Sequence, residues 1–198
     1  MLSEKGAIMK VSLGPKTVAL PTPTWLVGTY DADGKPNIMT AAWGGICCSK
    51  PPCLTVSLQK PRHSYAAIME RRAYTVSVPA ESQVVAADYC GIASGRNSDK
   101  FAACGFTPVK SELVDAPYVA ECPLIIECKV IQVLDLGMHT MFVGEIMDVK
   151  VDEAAMRDGK PDPLVIKPII FAPEDRHYYG LGADLGLAFS IGKELKGA

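Results

Sequence analysis

None of the seven cysteines in this 198-residue sequence stands in a C-x-x-C pair, the spacing that usually marks zinc and iron–sulfur sites. Neither G-x-G-x-x-G nor G-x-x-x-x-G-K-[ST] occurs, which argues against a Rossmann dinucleotide domain and against a P-loop. A Ser/His/Asp signature is also missing, and His63 and His177 have no metal-ligand spacing, so no metal ligands are assigned. Twenty Lys and Arg against 22 Asp and Glu leave a net charge of −2, without the basic excess that neutralises a phosphate backbone. A nucleic-acid partner is therefore not expected. No run approaches the roughly 20 apolar residues needed to cross a bilayer, and MLSEKGAIMKVSLG lacks the apolar core and cleavage site of a signal peptide. The expectation is a cytoplasmic protein without membrane contact, where thiols stay reduced. In that setting Cys47, Cys48, Cys53, Cys90, Cys104, Cys122 and Cys128 read as small, mostly buried apolar residues.

What is present suits one globular domain over residues 1–198, long enough to bury a core without metal or disulfide support. TWLVGTY, the turn DADGKP and the run from Asn37 to Cys48 read as two strands of a hairpin. SKPP breaks the second strand, because proline cannot donate to a ladder, and CLTVSLQ alternates as a third. HSYAAIMERR changes to helical period with Tyr65, Ile68 and Met69 on one face and Ser64 as N-cap. AYTVSV returns to a strand. Two helical stretches lie between residues 81 and 105, and CPLIIECKVIQVLDL and HTMFVGEIMDVKV form a long hairpin joined at Gly137. Residues 152–198 are rich in Pro and charge up to Arg176 and read as a segment that wraps the surface or a partner. The fold class is mainly β, a β-barrel with inserted helices, in which about six antiparallel strands close.

Four segments carry candidate chemistry. In SLQKPRHSY a strand passes into a helix whose first N–H groups, with Arg62 and Ser64, suit a phosphate; alternatively Ser64 only caps and Lys60 and Arg62 are solvated. In SGRNSDKF, Arg96 and Lys100 could approach an anion from another side, or Ser98 could cap an ordinary surface helix with an Asp99–Lys100 pair. NIMTAAW alternates Asn37, Met39, Ala41 and Trp43 on one face with Ile38, Thr40, Ala42 and Gly44 on the other. Such small side chains either pack a sheet tightly or let a flat ring reach the backbone. His139 opens a strand and can titrate near neutral pH, or is simply structural.

Together and in this order, N-x-M-T-x-x-W at residues 37–43, PP-x-x-x-x-SL-x-x-x-R-x-S at 51–64, SGRNSDKF and GMHTMFVGEI resemble the flavin reductase-like proteins with an FMN-binding split barrel, most closely the flavoredoxin-type branch. PIIF and HYYGLG are similar to the same branch. The resemblance implies a six-stranded antiparallel Greek-key split barrel that dimerises with itself, residues 152–198 contributing wrapping or dimer contacts, and holds FMN noncovalently near the subunit interface. It implies that Asn37, Met39, Thr40, Ala41 and Ala42, with Trp43 closing the motif, line the isoalloxazine beside Ser57 and Leu58. Arg62 and Ser64 take the phosphate, Ser94 and Lys100 complete the site, and His139 lies near the flavin or an incoming nicotinamide as the candidate catalytic residue. Two departures from the family pattern are Ser77 where Asn is common and Met138 where Asp is common, the second leaving His139 without an acidic neighbour.

The implied function is an FMN-binding oxidoreductase that moves a hydride from NAD(P)H to flavin. An alternative is a flavoredoxin-type carrier exchanging electrons with a redox partner protein. An alternative of another class is a nonenzymatic thiol or metal-binding module using Cys47, Cys48 and Cys53.

Overall fold

The computed structural model describes residues 9–196, without the side chain of Lys196. The main sheet has seven strands: β1 Trp25–Tyr30, β2 Pro36–Ala41, β3 Gly44–Ser49, β4 Pro52–Gln59, β5 Ala73–Val78, β6 Leu124–Asp135 and β7 His139–Val151. They pair antiparallel in the order β2-β1-β5-β6-β7-β4-β3. The two edges, β2 and β3, are consecutive in the chain. The strand expected over Asn37 to Cys48 is thus split: its first half pairs with β1 and its second with β4. At the split, the Trp43 carbonyl accepts a hydrogen bond from the Ser57 N–H at 2.8 Å. One bent stretch of small residues thereby closes the sheet into a split barrel.

Alternation along the strands sends neighbours to two cores. Val27, Met39, Ala41, Val56, Tyr74, Ile126 and Phe142 fill the barrel, while Leu26, Ile38, Phe101, Val119, Ile125 and Ile169 pack outside it against the helices. Tyr74 spans the barrel and donates its hydroxyl to the Leu54 carbonyl at 2.9 Å. Gly144 makes room for it, since a Cβ there would come within 2.5 Å of that hydroxyl.

Three helices fill the crossovers: α1 His63–Arg71 between β4 and β5, then α2 Val84–Ile92 and α3 Lys100–Cys104 before β6. Three expectations are corrected here. Ser64 is not the cap of α1; Arg62 occupies that position, and Ser64 is the second helical residue, buried, accepting a hydrogen bond from Asn37 Nδ2 at 2.9 Å. Ser98 does not cap α3 either, because the Asp99 carboxylate accepts from the Ala102 N–H at 3.1 Å. Met69 is 41% exposed, and α1 buries Ala67 and Ile68 instead.

A hairpin of Pro108–Lys110 and Pro117–Val119 was not legible in the sequence. Part of the C-terminal segment returns to the barrel: Ile170–Ala172 pairs with Thr22–Pro23 and with His177–Tyr179, and Ile166 and Ile169 are buried. The cysteines divide differently from the expectation. Cys53, Cys90, Cys122 and Cys128 are buried and Cys104 is half-buried, but Cys47 and Cys48 are exposed, because they lie on the outer edge strand β3, whose pairing with β4 shifts register between Ile46 and Cys48. Among the described residues no helix is long and apolar enough to cross a membrane.

Candidate functional site

Two cavities adjoin where β2, β4 and α1 meet, and share Met39, Gln59 and Arg62 in their walls. The first, about 290 Å³, is closed by α1 and by the α2–α3 connection. The second, about 430 Å³, lies over β2 and β4 at the start of β7.

The first cavity has a mixed lining, and several of its polar groups are held. α1 begins with no side-chain cap, and its first residues, His63 and Ser64, line the space at the positive end of the helix dipole. Arg62, exposed, stands at that entrance with Nη1 3.4 Å from the Gly91 carbonyl. Lys100 is turned inward, only 4% exposed, and donates to the Cys90 carbonyl at 2.8 Å. The Asp99–Lys100 surface pair does not form; Asp99 faces Lys35 at 3.4 Å. Burial lowers the pKa of Lys100 most, the Cys90 thiol acts in the opposite direction, and the positive charge of Arg62 lowers it further. An anion between Lys100 and Arg62 would relieve both the burial and that repulsion.

The connection can pass so close because residue 95 is glycine. A Cβ at Gly95 would overlap Asn37 Oδ1 and come within 2.6 Å of His63 Cδ2. The buried Asn37–Ser64 hydrogen bond joins β2 to α1 beneath it. His63 Nε2 has no hydrogen-bond partner and lies 3.8 Å from Asp31 Oδ2.

The second cavity is walled by Met39, Thr40, Ala41, Ala42 and Trp43 on one side and by Ser57 and Leu58 on the other, with Met138 and His139 at its rim. Thr40 turns its hydroxyl away to the Ala87 carbonyl of α2, so what it leaves toward the space is backbone and methyl. A planar group can lie against this wall and meet peptide N–H and C=O groups at its edge.

The thirteen residues that the resemblance assigns to the site line this pair of cavities: Asn37, Met39, Arg62, Ser64, Ser94 and Lys100 the first, which Arg96 also lines, and Met39, Thr40, Ala41, Ala42, Trp43, Ser57, Leu58, Arg62 and His139 the second; Lys60 lines neither. Sequence reasoning missed Gln59, Pro61, His63 and residues 90–93 and 95 in the first, and Thr17, Met138 and Phe171 in the second. Gly91, and Gly95 within SGR, were the available signal for the first group. Phe171 lies in the PIIF run, but Thr17 had no signal, and the pairing of Thr22–Pro23 with Ile170–Ala172 is what brings these two segments to the barrel.

A split β-barrel with an anion-suited pocket beside a shallow slot of small side chains is an arrangement that can accept a phosphorylated, planar molecule. Residues 17–180 match the model of the flavin reductase like domain, and the chain belongs to that family. It is similar to the flavoredoxin of Desulfovibrio vulgaris (Miyazaki F), with 57% identity and a TM-score of 0.90 over 93% of this chain and 100% of that one. It is also similar to the flavoredoxin of Methanosarcina acetivorans, with 31% identity and a TM-score of 0.88 over 95% of this chain and 100% of that one. Among curated proteins, a ferric-chelate reductase (NAD(P)H) of Archaeoglobus fulgidus is 32% identical over 104 residues, 52% of this chain and 60% of its own. The chain is a flavin-binding redox protein.

Proposed function

We propose that the flavin is FMN, held noncovalently, and that the protein is a flavoredoxin-type carrier exchanging electrons between that flavin and a redox partner protein. One observation carries the FMN reading: a buried lysine, an arginine and an uncapped helix start converge on a closed pocket that opens directly onto the flat slot. Arg62, Lys100 and the first amides of α1 bind the phosphate, with Ser64 and Ser94 beside it. Asn37 holds α1 against β2 and so fixes the distance between phosphate site and ring. Met39, Thr40, Ala41, Ala42, Trp43, Ser57 and Leu58 present the wall against which the ring lies, leaving its other face toward Met138 and His139. Bound FMN supplies the redox chemistry, and the protein binds it, orients it and sets its electrostatic surroundings. The carrier reading is supported by 57% identity to a flavoredoxin over nearly the whole chain.

The openness of the ring end favours a second reading, an NAD(P)H-dependent flavin reductase in which nicotinamide stacks on the free face beside His139. Similarity to the ferric-chelate reductase (NAD(P)H) supports it. Anaerobic mixing of the FMN-loaded protein with NADH or NADPH separates the two. Rapid loss of flavin absorbance identifies a reductase, and persistence of the oxidised spectrum until a reduced partner protein is added identifies a carrier. A purified protein with no flavin band that is unchanged by added FMN would overturn both readings. We also infer a homodimer, supported by apolar side chains left in solvent near both chain ends, Met9 and Val11 at one and Leu185 and Phe189 at the other. A monomeric mass at micromolar concentration counts against it.

A further inference from the structure

Two thiols meet behind the anion pocket. Cys90 on α2 and Cys104 on α3 lie with their sulfurs 3.7 Å apart. They differ in access: Cys90 is completely buried, whereas Cys104 is partly open to solvent. Burial, reinforced by the neighbouring Cys104 thiol, pushes the Cys90 thiol up to about 12, which keeps it protonated and unreactive toward a solvent oxidant. Cys104 therefore meets an oxidant first, with a resolving thiol already in contact.

We propose that Cys90 and Cys104 form a reversible disulfide, made by a peroxide and undone by a dithiol, that weakens the anion-binding end of the cleft. In the first step the Cys104 sulfur attacks a peroxide oxygen; an S–O bond forms, the O–O bond breaks, and the departing hydroxide takes the Cys104 proton as water. In the second, Cys90 sulfur attacks Cys104 sulfur; the S–S bond forms, the S–O bond breaks, and the departing hydroxide takes the Cys90 proton as water. Two thiols lose two electrons and two protons, and one hydrogen peroxide becomes two waters.

The bond reaches the pocket through short connections. Closing the gap to the about 2.05 Å of a disulfide brings the sulfurs roughly 1.7 Å nearer. Cys104 and Lys100 stand four residues apart on α3, one turn above the other on the same face, so pulling on one moves the other. Cys90 supplies the carbonyl that holds the Lys100 ammonium, and Gly91 beside it lines the pocket. Formation of the bond stands on the thiol geometry alone; its effect on the ligand rests on the reading that this pocket takes the FMN phosphate.

The full chain carrying Cys47→Ser and Cys48→Ser, which removes the exposed thiols, is treated with hydrogen peroxide, alkylated and mapped by peptide mass. The expected product is a Cys90–Cys104 linked peptide that dithiothreitol releases and that a further Cys104→Ser substitution abolishes. Cys104 converted to sulfinate, or still open to alkylation, with no linked peptide overturns the proposal. Titrations with FMN and riboflavin then compare the oxidised and reduced forms. FMN affinity should fall about tenfold on oxidation, within the roughly 10- to 150-fold worth of a charge-assisted contact, while riboflavin changes little. Equal change for both ligands, or none, overturns the coupling to the pocket. Reduced protein that binds no FMN, yet still forms the linked peptide, counts against the proposed function and not against the disulfide.

Discussion

The two ends of the cleft are built on opposite plans. At the helical end, polar groups are tied down: the buried Asn37 to Ser64, the buried Lys100 to the Cys90 carbonyl, and the exposed Arg62 to the Gly91 carbonyl. At the strand end the design is subtraction. Ala41, Ala42 and the Thr40 backbone leave a wall of small groups, Arg62 is shared with the helical end, and His139 stands at the rim. Affinity should therefore reside at the helical end, where desolvated charges meet an anion. Access by a second reactant should be decided at the strand end. Riboflavin, which has the ring of FMN but no phosphate, separates the two ends in a titration.

The largest effect is expected from Arg62→Ala. Loss of a charge-assisted contact should weaken FMN by roughly 10- to 150-fold, and riboflavin by far less. Arg62 is exposed and its side chain caps no helix, so the fold should survive. An equal loss for both ligands, measured by fluorescence titration, would place Arg62 at the ring and break the assignment of ends.

Lys100 gives the next effect through pH. Its folded-state pKa lies below the ordinary lysine value because the ammonium is buried. As pH rises through that lowered value the charge is lost, and FMN affinity should fall by at most about tenfold per pH unit, with riboflavin unaffected. Folding stability of the ligand-free protein moves the other way. The unfolded chain holds the proton to higher pH, so this lysine's contribution is fully present above the ordinary lysine value and is lost as pH falls through the folded-state value. Urea midpoints of wild type and Lys100→Met between pH 8 and about 10.5 check the sign. A wild-type midpoint that drops over this range relative to the variant contradicts it.

Ala42→Val tests the strand end. Adding two methyl groups to the wall should cost about fivefold, the low end of an overpacking penalty, and should do so equally for FMN and riboflavin. A loss confined to FMN would mean that the wall contacts the phosphate side of the ligand.

The strand end was the more legible of the two in the sequence, and the reason is local geometry. A strand alternates its side chains with period two, so NIMTAAW alone states which residues flank Thr40, and Ile38 and Met39 do enter separate cores. What the sequence could not state was the split at Ala42 and Trp43, because it depends on two different partners, β1 and β4, competing for one stretch of chain. At the helical end the residue types were right and their roles were not. Ser64 and Ser98 look like caps by composition, but Asn37 reaches Ser64 from another strand and Asp99, one residue on, outcompetes Ser98 with a charged acceptor. Lys100 reads in the sequence either as a residue that approaches an anion or as the surface partner of Asp99. The sequence offers no local sign that a carbonyl ten residues earlier will draw it inside.

The smallest effect is expected from His139→Gln. His139 begins β7 opposite Gln59, half-buried, and among the described residues no side chain hydrogen-bonds to its ring. The neighbouring position is Met138, so no carboxylate orients the imidazole from there. A general acid or base normally contributes about 10²- to 10⁴-fold to a rate and needs a partner that fixes its tautomer and direction. With none in place, the substitution should change FMN affinity, and any anaerobic bleaching rate with NADH, by less than about threefold, far under what proton transfer would contribute. Stopped-flow absorbance across the neutral pH range checks this. A rate that falls more than about tenfold with FMN still bound, together with loss of a pH-dependent inflection present in the wild type, would give His139 the proton-handling role and make the strand end a reaction centre in its own right.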